Sequence, residues 1–281
     1  MIKSISITKS GNLSLDNFFK IRKKDRYLVN LRKKVLKILE TDGTLLIQNF
    51  KIEKKYHENQ KKFKLLSSYF GTLLKQNLKG EKIVKIEDQG KKWSSKTRGY
   101  KTNDYLDMHT DGGAVSALFC LRNSKHGGES IYADARKIYK SIKDKNLKNK
   151  LFEGFKYHTR NESKDRSLVS KNKFPVFFFN KNKLHCMYNR KPIEEALKIE
   201  NKSSDLKYLK KFQKYFSNLK NYHKFKLKPG DIWIVNNFIG LHGRKNFTDT
   251  KANKRLLMRA WINPKNFSYR GKTLLEAYNN K

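Results

Sequence analysis

The feature that most limits the fold is a change of apolar rhythm about a third of the way along the chain. Between Tyr27 and Glu40 the apolar residues Leu28, Leu31, Val35, Ile38 and Leu39 recur at helical spacing, which predicts an amphipathic helix. Asp42-Gly43 stops it, and Thr44 to Phe50 predicts a buried strand. A second helix is predicted over residues 54–77, ending near Gly80, and another strand over Ile83–Glu87. From about Arg98 short strand-like runs take over: Val115–Leu121, Ser130–Ala133, a hairpin between Phe174 and Tyr188 turning at Asn180-Lys181-Asn182-Lys183, Ile232–Val235 after the turn Lys228-Pro229-Gly230-Asp231, and Leu256–Ile262. Asp134 is placed to cap a helix reaching about Ile142, and Ile193–Ile199 and Leu206–Leu219 predict two more helices. The polar stretch 143–173 predicts room for a mobile loop. Helices first and short strands after predict one domain, mainly β with flanking helices: a barrel or sandwich with an N-terminal helical layer. Residues 1–90 are assigned to the layer and 91–265 to the barrel core, with a helical insert around 191–220, in a single domain spanning 1–281.

Composition narrows the setting. No stretch approaches the roughly 18–20 apolar residues needed to cross a bilayer, and Met1-Ile2-Lys3-Ser4-Ile5 begins no apolar run long enough for a signal peptide. Cys120 and Cys186 are too few for a disulfide framework and lie in apolar segments, so buried free thiols in a reducing, cytoplasmic setting are expected. The formal charge is +40. One reading is a polyanion partner such as nucleic acid. The other is a lysine-rich composition of the kind AT-rich codon usage produces, since the lysines are spread along the whole chain. No block of base-stacking aromatics accompanies them, so weak, salt-sensitive polyanion binding is expected in place of specific nucleic-acid recognition. The oligomeric state is left open, a homo-oligomer included.

Three segments carry chemistry. In His109-Thr110-Asp111 a strand would turn residues i and i+2 to one side, presenting a nitrogen and a carboxylate oxygen to one point. Taken alone, His-x-Asp is more often structural or a cap. Downstream, the Pro229-Gly230-Asp231 turn leads through an apolar strand to Leu241-His242-Gly243-Arg244. Two histidines and one carboxylate on one face, with open positions, are the arrangement of iron(II) oxygenases. Third comes Arg255-Leu256-Leu257-Met258-Arg259, whose arginines share a face on a strand. Two inward cations are costly without anions. A dicarboxylate co-substrate would supply one, and a guanidinium fork matches a carboxylate; a solvated surface pair is the alternative.

Together these segments resemble the taurine dioxygenase-like family of 2-oxoglutarate-dependent oxygenases, over Thr97 to Asp134 and Leu227 to Asn263 and more weakly over Phe174 to Ala196. The resemblance implies a double-stranded β-helix (jelly-roll) barrel that uses Fe(II), 2-oxoglutarate and O2 and releases succinate and CO2. It implies His109, Asp111 and His242 as iron ligands, Arg255 as anchor of the distal 2-oxoglutarate carboxylate, Ser130 as a second contact there, and Arg259 facing co-substrate or substrate. Asp111 occupies the position that related halogenases leave without a carboxylate, which argues for hydroxylation, desaturation or oxidative cleavage. Tyr100, Asn103, Tyr105 and Arg190 are the candidate substrate contacts, with Tyr188 near the mouth, and packing or surface roles fit each of them as well. Arg259 would suit a small anionic or zwitterionic metabolite. Competing expectations are a lysine-rich nucleic-acid-binding protein, an oxygenase acting on a macromolecule, and a barrel that has kept its shape without catalysis.

Overall fold

The structure is a computed structural model describing residues 2–6, 26–92, 94, 97–160, 166–216 and 222–269. Eight strands organise the site: β1 (Ile83–Ile86), β2 (Leu106–His109), β3 (Val115–Arg122), β4 (Ser130–Asp134), β5 (Tyr222–Phe225), β6 (Ile232–Asn236), β7 (Gly240–Arg244) and β8 (Leu256–Asn263). A seven-stranded sheet runs Ser4–Ser6, Thr44–Gln48, β6, β3, β8, Thr72–Leu73, with β1 also paired to β8. A four-stranded sheet runs β5, β4, β7, β2. The architecture is mixed α/β, and no strand pairing among the described residues joins the two sheets into a closed barrel.

Alternation along the strands of the large sheet explains both of its faces. Ile232 and Ile234 of β6, Ala117 and Phe119 of β3, and Met258 and Ala260 of β8 share one core cluster with Val35 and Leu39 of α1 (Arg26–Thr41) and Phe63, Leu66 and Phe70 of α2 (Tyr56–Phe70). Trp233 and Val235, Cys120, and Leu257 point the other way and meet Tyr132 of the small sheet. So the large sheet is buried on both faces: helices cover the outside, and the inside closes on the four-stranded sheet. This explains why β6 is buried at every position and reads as a continuous apolar run.

Asp42-Gly43 ends α1 as predicted. Gly43 has φ +78°, and a Cβ there would meet the Tyr132 hydroxyl at 2.3 Å, so both the turn and the packing require glycine. Asp134 caps α3 (Ala135–Ser141) by accepting the Arg136 N–H. The predicted hairpin pairs Phe177–Asn180 with Lys183–Cys186, and Lys181 and Asn182 take the positive φ of its tight turn.

Two expectations need correction. The helix predicted over 54–77 ends at Phe70. Gly71 passes so close to Asn263 and Pro264 that no Cβ fits, and Thr72–Leu73 joins the edge of β8. The polar stretch 143–173, where the sequence predicts room for a mobile loop, contains α4 (Lys145–Glu153), capped by Asp144 and anchored by buried Leu147 and Leu151; Phe155 and His158 then bridge to Phe174 and Val169, and residues 161–165 lie outside those described. A few apolar residues at helical spacing suffice when they reach a core. Strand β5 had no clear sequence signal; its alternation is weak because it is an edge strand. The insert forms α5 (Arg190–Ile199) and α6 (Leu206–Lys214); residues 217–219 of the second predicted helix lie outside those described. No helix among the described residues is long and apolar enough to cross a membrane. Cys120 and Cys186 are buried free thiols.

Candidate metal centre

His109 is the last residue of β2, so His109-Thr110-Asp111 is not a strand tripeptide as predicted; Asp111 lies in the turn beyond it. Thr110 between them is clamped to the Tyr188 backbone, its N–H donating to the carbonyl at 2.7 Å and its Oγ1 accepting the Tyr188 N–H at 3.0 Å. Gly112 and Gly113 follow, lying against Trp261 with no room for a Cβ, and let the chain turn back into β3. His242 comes from β7 and pairs directly with His109 across the ladder. The ring centroids are 4.7 Å apart.

His109 Nε2 lies 3.9 Å and His242 Nε2 3.4 Å from the Asp111 carboxylate. One ligand atom from each of the three residues lies within 4.8 Å of the others. His109 Nδ1 contacts the Asp107 carbonyl at 2.7 Å. A carbonyl only accepts, so Nδ1 carries the proton and Nε2 offers its lone pair to the centre. Burial, then the neighbouring His242, pushes the His109 pKa down to about 4, keeping the ring neutral. Burial alone would raise the Asp111 pKa, but Arg259, His242 and His109 together hold it well below the usual carboxylate range. Two imidazoles and an ionised carboxylate are the donor set that divalent iron takes up.

The pocket opening on this cluster is lined by Ile86, Tyr100, Leu106, Leu118, Ser130, Trp233, Gly243, Arg244, Arg255, Leu257 and Arg259. Arg255 is 3 % exposed, and its Nε and Nη1 have no hydrogen-bond partner among the described residues. Burial lowers its pKa to about 10. Arg259 Nη1 donates to Asp111 Oδ1 at 3.0 Å and Nε to Gln76 Oε1 at 2.8 Å. Its guanidinium lies 5.2 Å from the Tyr100 ring and 4.9 Å from Trp261. Ser130 is buried on β4, opposite Arg244 of β7.

The family profile described as taurine catabolism dioxygenase TauD, TfdA family matches residues 15–261. The chain belongs to this family. FR-33289 synthase of Streptomyces rubellomurinus (strain ATCC 31215) is 29% identical over 221 residues, which cover 74% of this chain and 65% of that protein; the chain thus spans just under two thirds of that relative. The structure of asparagine oxygenase with Fe(II), 3-hydroxyasparagine and succinate has a TM-score of 0.63 at 14% identity, over 83% of this chain and 79% of that one. The non-haem iron oxygenase OrfP with Fe and alpha-ketoglutaric acid reaches 0.66 at 13%, over 93% and 94%. At such identities the two structures are evidence of a shared fold.

Several residues singled out in the sequence lie away from the pocket of this TauD/TfdA chain. Asn103 offers its carbonyl to the Phe247 N–H. Tyr105 is exposed, with Lys245 over its ring. Arg190 opens α5 and is held by Glu194 and Gln213. Tyr188 is wholly buried against Phe212 and Phe216. None of the four lines the pocket. Conversely, sequence reasoning did not single out Gln76, Ser116 or Asn237. Ser116 Oγ donates to Asp111 Oδ2 at 2.8 Å, and Asn237 Nδ2 donates to Ser116 Oγ at 3.1 Å while its Oδ1 accepts the Asp111 N–H at 3.3 Å. The only sequence signal was a polar residue within an otherwise apolar run; both are buried in the structure. Ser116→Ala should weaken metal binding about 10-fold without loss of fold, since outer partners of a ligand typically contribute about 10–100-fold. Metal titration alongside a thermal melt checks this, and an unchanged isotherm would speak against it.

Proposed function

We propose that this chain is an Fe(II)- and 2-oxoglutarate-dependent dioxygenase that hydroxylates a small anionic or zwitterionic metabolite. The observation that carries the reading is one pocket with His109, Asp111 and His242 at one end and, at the other, the buried guanidinium of Arg255, whose Nε and Nη1 have no hydrogen-bond partner among the described residues. An unpaired buried cation is expensive, and a dicarboxylate whose far end reaches Arg255 would offset that cost. The neighbours with iron and either succinate or alpha-ketoglutaric acid support the same chemistry.

In this reading the eight strands form a double-stranded β-helix within one catalytic domain. The support is their order: β1-β8-β3-β6 in one sheet and β2-β7-β4-β5 in the other, as successive strands exchange sheets everywhere except between β4 and β5, which pair with each other. Iron bound by His109, Asp111 and His242 would supply redox chemistry that converts a C–H bond, O2 and 2-oxoglutarate to a C–OH group, succinate and CO2. The chain's own residues bind and orient. Arg255 would grip the distal carboxylate, with Ser130 beside it, and Leu118, Trp233 and Leu257 would keep water from the keto end. Arg259 and Tyr100 stand where a substrate anion would meet the metal cluster. The substrate of asparagine oxygenase, and the hydroxyarginine found with OrfP, make an amino-acid-like metabolite the leading class. The buried free thiols fit a reducing, cytoplasmic setting. Anaerobic addition of Fe(II) and 2-oxoglutarate should produce a weak visible charge-transfer band, which His109→Ala should abolish. Folded wild-type protein without any band would overturn the proposal.

A further inference from the structure

Arg244 is the charged pocket residue with no role so far. It is 4 % exposed and stands two positions after His242 on β7. In the sequence it is part of a His-Gly-Arg phrase with no assigned function. Its Nη2 donates to the carbonyls of Thr102 at 2.8 Å and Asp104 at 2.5 Å, while the Phe247 N–H takes the carbonyl of Asn103 between them at 3.2 Å. Three successive carbonyls are thus pinned from the β7 side. The pinned segment directly follows the short helix Gly99–Lys101, which holds Tyr100 against Arg259. Arg259 in turn reaches Asp111.

At its other side Arg244 shares an aromatic ring with the proposed co-substrate anchor. The guanidiniums of Arg244 and Arg255 lie 4.7 Å and 5.2 Å from the Phe247 ring. Two buried guanidiniums that face one ring repel each other. Arg244 Nε is buried with no hydrogen-bond partner among the described residues. An anion arriving at Arg255 would relieve that repulsion and leave Arg244 seated on its two carbonyls.

We propose that Arg244 is a positioning residue that links occupancy of the 2-oxoglutarate end of the pocket to the order of residues 98–104, and through Tyr100 to the placement of Arg259. The inference rests on reading Arg255 as the co-substrate anchor. Its consequence is that residues 98–104 are firmer with 2-oxoglutarate bound than without it.

Hydrogen exchange of the whole 281-residue chain with Fe(II), anaerobically, with and without saturating 2-oxoglutarate, tests this. In wild type, peptides covering 98–105 should slow at least about 10-fold on adding 2-oxoglutarate. In Arg244→Met the slowing should vanish although calorimetry still finds 2-oxoglutarate bound, since Arg255 is intact. Arg244→Lys keeps charge but not the planar fork, and it should bind 2-oxoglutarate like wild type with reduced protection of the same peptides. Turnover in the Met variant should have a raised KM for substrate and succinate formed without matching product. Protection in Arg244→Met equal to wild type at saturation would overturn the inference, as would faster exchange throughout the protein, which marks a purely structural role. Wild type that binds 2-oxoglutarate with unchanged exchange at 98–105 overturns the inference alone. Wild type that binds no 2-oxoglutarate overturns the proposed function and this inference with it.

Discussion

An Asp111→Ala variant should lose iron and turnover together. The loss of affinity should exceed the roughly 10–100-fold that outer-sphere partners contribute, because the only carboxylate of the three-residue cluster is gone. The substitution also acts on the metal-free protein. Asp111 Oδ1 accepts from Arg259 at 3.0 Å and Oδ2 from Ser116 at 2.8 Å, and both partners of the ion pair are buried. Truncating one side of such a pair costs about 3–5 kcal/mol, because the remaining charge is stranded. Arg259 would keep Gln76 and the faces of Tyr100 and Trp261, none of which carries negative charge. A fall in melting temperature is therefore expected in the same variant. Asp111→Asn separates the two effects. It keeps the volume and a partner for Ser116, so most of the packing survives, yet it removes the anion a divalent metal needs. Iron titration of Asp111→Asn matching wild type would refute the ligand assignment whatever the melting temperatures are.

The site was more legible in the sequence than its frame. His109, Asp111 and His242 stood out because metal-binding side chains are rare and their spacing carries meaning even when the backbone reading is off. The tripeptide was placed on a strand and lies on a strand end followed by a turn, yet the same atoms converge. Arg255 and Arg259 stood out for a similar reason: cations in an apolar run demand anions. Ser116 and Asn237 were hidden because a buried serine or asparagine looks like any other until its partners are known. Tyr105 and Asn103 neighbour the motif in sequence but do not line the pocket: Asn103 is engaged with Phe247 through its carbonyl and Tyr105 is exposed. Helix ends were misread where tertiary contact decided them, as at Gly71.

Arg255→Met should move stability and co-substrate affinity in opposite directions. Arg255 is a buried cation whose Nε and Nη1 have no hydrogen-bond partner among the described residues; Asp249 accepts its backbone N–H, at 2.8 Å. Burial lowers its pKa to about 10, the signature of a charge the fold holds at a cost. Methionine has similar length and no charge, and replacing buried ionic groups with apolar ones is often neutral or stabilising, by about 1–4 kcal/mol. The melting temperature without ligand should hold or rise. Binding of 2-oxoglutarate should collapse: losing one partner of a buried, hydrogen-bonded charge pair costs about 2–5 kcal/mol, which at 1.36 kcal/mol per decade is roughly 30- to several-thousand-fold. Melts with and without 2-oxoglutarate read both quantities at once, because a ligand stabilises the folded state in proportion to the logarithm of its concentration over Kd. Wild type should shift upward with added 2-oxoglutarate, and Arg255→Met should start at least as high and fail to shift. If Arg255 served the fold alone, the variant would melt lower while responding to 2-oxoglutarate as wild type does, and the anchor would have to be sought in another pocket cation.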